Sequence, residues 1–61
     1  MNEQRAKEIL SQRNAIPDEG GLWNLGWYLE WNSGDKEAVL DGEFEAEELE
    51  AIAWWMRNKS K

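Results

Sequence analysis

Residues 22–32 read Leu22-Trp23-Asn24-Leu25-Gly26-Trp27-Tyr28-Leu29-Glu30-Trp31-Asn32. In an extended chain Trp23, Leu25, Trp27, Leu29 and Trp31 share one side, and Asn24, Gly26, Tyr28, Glu30 and Asn32 share the other. Alternation of this kind marks a strand with one buried face. Asn32-Ser33-Gly34-Asp35 supplies turn chemistry, and residues 36–44 return as a second strand, so the pair predicts an antiparallel hairpin. A loop centred on Ser33-Gly34 sets Leu29 opposite Ala38, Trp27 opposite Leu40, Leu25 opposite Gly42 and Trp23 opposite Phe44. A slip of one residue would bring Val39, Asp41 and Glu43 onto the apolar row, which a buried face forbids.

A helix is expected on each side of this hairpin. Over residues 2–14, Ala6, Ile9, Leu10 and the stem of Arg13 recur at helical spacing behind Asn2, a good N-cap. Pro17 and the Gly20-Gly21 pair end that helix, and Ile16 is expected to tuck beneath the fold. Over residues 46–58, Leu49, Ile52, Ala53 and Met56 form the inward stripe, with Trp55 at its margin and Trp54 well off it. Glu45 takes the N-cap position, Glu48 sits at N3, and Phe44 is placed to staple onto Leu49. The expected fold class is α+β: helix–β-hairpin–helix, two helices packed on one face of a two-stranded antiparallel sheet, as one small domain over residues 1–61.

A chain of 61 residues is near the lower limit for a self-sufficient core. Five tryptophans answer that need, because each can remove about 150–250 Å² from water. Most of them are therefore assigned to the core. The chain has no cysteine and no histidine. Disulfides, thiolate metal sites, a cysteine nucleophile and the commonest general base are thereby excluded. The reading is a protein that is not an enzyme and takes no cofactor.

Thirteen acids against seven bases give a net charge of −6. That balance opposes binding to phosphate backbones and to anionic membranes, both of which need Lys and Arg. Met1-Asn2-Glu3-Gln4-Arg5 begins no secretory signal, and no stretch approaches the roughly 20 apolar residues of a membrane span. A cytoplasmic protein is expected.

Residues 41–50 carry six carboxylates and no base. Gly42, Phe44 and Glu48 imitate the second half of a calcium-binding EF-hand loop. The count then puts Glu37 first and Val39 third, and valine cannot ligate a hard cation, so no metal is expected. Glu45, Glu47 and Glu48 lie in the first turn of a helix, where exposed amides favour negative charge. Glu30, Glu37, Asp41, Glu43 and Glu47 are expected to make one contiguous acidic ridge, which offers no pocket for two-carboxylate glycoside chemistry. Tyr28 and Val39, taken as facing each other on the outer side of the sheet, add a small apolar patch. Trp54, off the inward stripe, is a candidate anchor of the type enriched at interfaces. Open sheet edges also permit strand addition or self-association.

Leu25-Gly26-Trp27-Tyr28-Leu29-Glu30-Trp31, Leu40-Asp41-Gly42-Glu43-Phe44 and Glu47-Glu48-Leu49-Glu50-Ala51-Ile52-Ala53-Trp54-Trp55-Met56 together resemble small phage- and prophage-encoded proteins without an assigned activity. The resemblance covers roughly residues 22–58, and it departs at Glu45, where such proteins commonly carry a better N-cap. It implies an accessory protein acting on a host or phage factor, and it carries over no catalytic or binding residue.

The expected function is thus a non-enzymatic protein-binding module, a phage-type accessory or inhibitor protein. Its candidate contact residues are Trp54, Tyr28, Glu30, Glu37, Val39, Asp41, Glu43 and Glu47. The expected partner is a protein with a basic surface, or a second copy in a homodimer, and neither nucleic acid nor membrane. The competing expectation is an acidic DNA mimic that occupies the cationic groove of a nucleic-acid-binding host protein.

Overall fold

The computed structural model describes residues 1–17, 23–24 (backbone) and 26–60. Helix α1 spans Glu3–Gln12, strand β1 Trp23–Asn24, strand β2 Trp27–Asn32, strand β3 Glu37–Gly42, and helix α2 Ala46–Asn58. The α+β architecture expected from the sequence is present: two helices cover one face of the antiparallel β2–β3 hairpin. Residues 23–24 add a short antiparallel segment to the other edge of β2, giving the order β1-β2-β3.

Helix α1 begins where the Asn2 side chain accepts the Arg5 amide at 2.8 Å, an N-cap that satisfies one of the first unpaired donors. It ends in a Schellman motif. Asn14 takes a left-handed conformation (φ 56°), while the amides of Asn14 and Ala15 return to the carbonyls of Ser11 and Leu10 at 2.9 Å each. The helix therefore stops at Gln12, before Pro17 could act on it. Helix α2 occupies the expected residues 46–58. Glu3 at the start of α1 meets Lys59 past the end of α2 at 3.3 Å, and Arg13 just past α1 meets Glu48 in the first turn of α2. The two helices are thus tied to each other near both ends of α1.

Their shared core holds Ala6, Ile9 and Leu10 from α1, Ala15 from the following loop, Leu29 from β2, and Ala51, Ile52 and Trp55 from α2. Ile16, Trp27, Trp31, Ala38, Phe44, Trp54 and Met56 pack around it half-buried. The Trp31 indole N–H donates to the Ala15 carbonyl at 2.8 Å, tying the sheet to the loop after α1. The inward face of α2 differs from the expected stripe. Ala51, Ile52 and Trp55 are buried, whereas Leu49 is 45 % exposed. Glu48 is drawn toward Arg13, which favours the rotation that buries Trp55. Phe44 sets its ring edge-on to Trp27, 6.0 Å between centroids at 76°.

The hairpin register is corrected by two residues. Trp27 lies opposite Gly42, Leu29 opposite Leu40, Trp31 opposite Ala38, and Asn32 opposite Glu37. Ser33, Gly34 and Asp35 all adopt positive φ (57°, 66° and 69°), so the loop is 33–36 and its centre falls one residue later than expected. A shift of two preserves the face of every side chain, because the strand period is two, and Trp27, Leu29 and Trp31 remain on the helix-covered side. The expected continuous strand 22–32 is interrupted at Gly26. There the chain turns back, so Trp23 pairs with Tyr28 and Asn24 with Trp27. The expected pairing of Trp23 with Phe44 is thus replaced, and Leu25 lies outside the described residues.

Gly42 ends β3 and tolerates no side chain. Its φ is +101°, and a Cβ there would meet the Gly26 carbonyl oxygen and lie 2.7 Å from Trp27 Cα. Gly26 has φ +88°, with nothing within 4 Å of the corresponding position. Gly42→Ala should therefore cost about 2 kcal/mol or more from combined strain and backbone clash, and Gly26→Ala about 1 kcal/mol from strain alone. Urea unfolding followed by tryptophan fluorescence reads both, and equal losses would contradict the close strand approach.

Candidate protein-binding edge

The surface is organised by one cation. Arg13 is the first residue beyond α1, and its side chain crosses to the start of α2. It donates through Nε and Nη2 to the Glu48 carboxylate, the latter at 2.8 Å, and through Nη2 to the Glu43 carbonyl at 2.6 Å. Its guanidinium carbon lies 4.2 Å from the Phe44 ring centroid and 5.1 Å from that of Trp27, within the range of a cation–π contact. Glu48 also accepts the Glu45 amide at 2.7 Å, the reciprocal half of a capping box. α1, β2, the 43–45 link and α2 are thereby joined at a junction where both charged side chains are 17 % exposed.

This junction closes one end of an open cleft of about 720 Å³ lined by Arg13, Gly26, Trp27, Gly42, Glu43, Phe44 and Glu45. The cation there is already neutralised by Glu48 and faced by two rings, so the cleft offers no uncommitted positive charge to an anion. Among the described residues no group of three carboxylate, histidine or cysteine side chains is placed to hold a metal ion. Nor is any helix long and apolar enough to cross a membrane.

Strand β3 presents a different kind of surface. Five of its six residues are exposed, Ala38 alone being half-buried. Val39, on the outer side, is 49 % exposed, and Leu40, on the side facing the helices, is 38 % exposed. β3 is also the sheet's edge among the described residues. Solvent therefore reaches it from above, from below and along its backbone. Leu29, directly opposite Leu40, is fully buried, and Ala38 is half-buried against the core, so the cover reaches Ala38 on β3 and thins out at Leu40.

Tyr28, Glu30, Val39, Asp41 and Glu37 share the outer face of the sheet. Their partners differ from expectation: Asp41 lies opposite Tyr28, and Val39 opposite Glu30, because the register moved by two. The Tyr28 hydroxyl donates to Glu30, whose carboxylate holds the phenol above its ordinary pKa. Glu37 accepts the Ser33 hydroxyl at 2.6 Å. Asp41 and Glu43 are exposed, Glu43 beyond Gly42 and the end of the strand. Glu47 belongs to the helix layer, where it pairs with Arg5 of α1 at 2.6 Å. Trp54 is half-buried and sits edge-on to Trp55, 6.3 Å between centroids at 64°. The sheet lies between these two helix residues and the outer-face group.

No family model, curated protein or solved structure matches this chain. Its geometry is the ground for a functional reading. Arg13 and Leu40 are given only packing roles by the sequence. Arg13 carried a legible signal, an arginine one turn past the last apolar residue of α1 in a chain with few bases. Leu40 carried none, since it continues the apolar row and its exposure depends on how far the helices extend.

The Arg13 hydrogen bond holds the Glu48 carboxyl below its ordinary value of 4.5, with burial opposing and the Glu45 amide assisting. A folded-state value below the unfolded one gives stability that is complete above the unfolded pKa and is lost as pH falls through the folded value. Glu48→Gln should therefore be less stable than the parent at pH 7, and the gap should narrow as the pH drops below about 4.5 toward 2.5. Urea midpoints at both ends of that range test this, and a gap independent of pH would contradict it.

Proposed function

We propose that this chain is a non-enzymatic protein-binding module, a phage-type accessory or inhibitor protein, that engages its partner along β3. The observation that supports this reading is the exposure of Val39 and Leu40 on opposite faces of one edge strand, flanked by Glu37 and Asp41. Exposed apolar side chains beside an unpaired backbone are costly in water unless a partner covers them. The half-burial of Trp54 against Trp55 favours β3 over the helix layer as the anchor. The outer carboxylates favour a basic partner, in keeping with the net charge of −6.

Mimicry of DNA draws less support. Of the ridge it would need, Glu47 is paired with Arg5 and stands in the helix layer, apart from the outer-face carboxylates.

Immobilised protein exposed to host lysate tests the reading. Leu40→Asp should weaken retention of the partner about tenfold or more, as truncation of an interface anchor does. Trp54→Ala should retain the partner, and the near-ultraviolet dichroism of the tryptophans should confirm that Leu40→Asp remains folded. The reverse pattern, retention by Leu40→Asp and loss by Trp54→Ala, would move the site to the helix layer.

A further inference from the structure

Among the described residues, strand β3 has a strand partner on one side only. β2 pairs with it from Trp27↔Gly42 to Asn32↔Glu37, and no described strand lies beyond it. Its outward-pointing amides and carbonyls therefore form a template of six residues, about 20 Å at strand spacing. Resting on the reading that the partner engages β3, we infer that the contact is made by strand addition, and that the added strand alternates basic with apolar residues.

The two faces of β3 dictate that alternation. On its outer face stand Glu37, Val39 and Asp41, and on its inner face Ala38 and Leu40. A strand laid against the edge places every second side chain beside one of these rows, because successive residues point to opposite faces. Lysine or arginine on the outer face meets Glu37 and Asp41. Valine, leucine or isoleucine on the inner face covers Leu40, where helical cover thins out.

The same charges disfavour a second copy of this chain in the registers that keep both outer faces on one side of a joined sheet. Antiparallel self-pairing about Val39 brings Glu37 opposite Asp41 twice. Pairing about Leu40 brings Glu37 opposite Glu43, and parallel pairing in register stacks each carboxylate on its own copy. Like charges directly opposite destabilise a strand pair, and carboxylates along an edge are a known guard against self-association. The edge thus favours a segment of opposite charge over a copy of itself.

The test uses the intact protein and a blocked seven-residue peptide alternating lysine with valine. Two peptides serve as controls: one alternating glutamate with valine, and one of the lysine composition with proline at its centre, which removes a ladder donor. Binding by calorimetry and amide hydrogen exchange by NMR are the readouts. The lysine peptide should bind and slow exchange at alternate residues across Glu37–Gly42, and neither control should. Glu37→Gln with Asp41→Asn should weaken binding about fivefold to tenfold, as two exposed ion pairs imply, whereas Glu8→Gln on α1 should leave it unchanged.

Absence of binding, equal binding of the glutamate peptide, or binding that leaves β3 exchange unaltered would each overturn strand addition by a basic segment. So would a concentration-dependent dimer that protects the same amides. The broader reading fails separately, by the lysate comparison of Leu40→Asp with Trp54→Ala. A partner lost by Leu40→Asp alongside an inert lysine peptide would refute the mode of contact and leave the site in place.

Discussion

The pairing of Arg13 with Glu48, stacked on Phe44 and Trp27, is the constraint on which the fold rests. A chain of this length has little core to spare: the buried apolar residues are Ala6, Ala15 and Ala51 beside Ile9, Leu10, Leu29, Ile52 and Trp55. Apolar burial alone leaves the rotation of α2 weakly defined, because Ile52 and Ala53 could serve either of two adjacent stripes. A bidentate arginine with fixed geometry removes that freedom. It sets Glu48 at the helix interface, brings Ala51 and Trp55 inward, and turns Leu49 to solvent.

That rotation also determines what β3 exposes. With Leu49 turned outward and the core centred on Leu29, the helix layer reaches Ala38 of β3 but leaves Leu40 38 % exposed. Leu40 then lies on the covered side of the sheet at the margin of the cover. The candidate binding edge is therefore a consequence of the helix junction some distance away, and no single strand residue creates it.

Much of the fold was legible in the sequence because it follows from periodicity. Alternation across residues 27–32 and 37–42 fixed which side of each strand is buried, Asn2 marked the start of α1, and residues 46–58 formed the second helix as expected. Register was less accessible. Ser33-Gly34 and Gly34-Asp35 are both acceptable turn centres, and the choice turns on three consecutive residues at positive φ and on Gly42 as the residue that fits opposite Trp27. The break at Gly26 was hidden by an alternation that runs straight through it. At the candidate site, the outer-face group of Tyr28, Glu30, Glu37, Val39 and Asp41 emerged from strand parity alone, while Glu47 and Trp54 were separated from it by a layer arrangement that parity does not encode. The exposure of Leu40 was beyond reach, since identical patterning describes a covered leucine and an uncovered one.

A double-mutant cycle over Arg13→Ala and Glu48→Gln, measured by urea unfolding at neutral pH, examines the junction most directly. Groups in one hydrogen-bonded network couple by about 0.5–3 kcal/mol, and the low exposure of this pair places it at about 1 kcal/mol or above. Coupling of that size would establish that the two side chains act as one unit. Additive losses would mean that α2 is oriented by its apolar face alone, and that the uncovered edge of β3 has another origin.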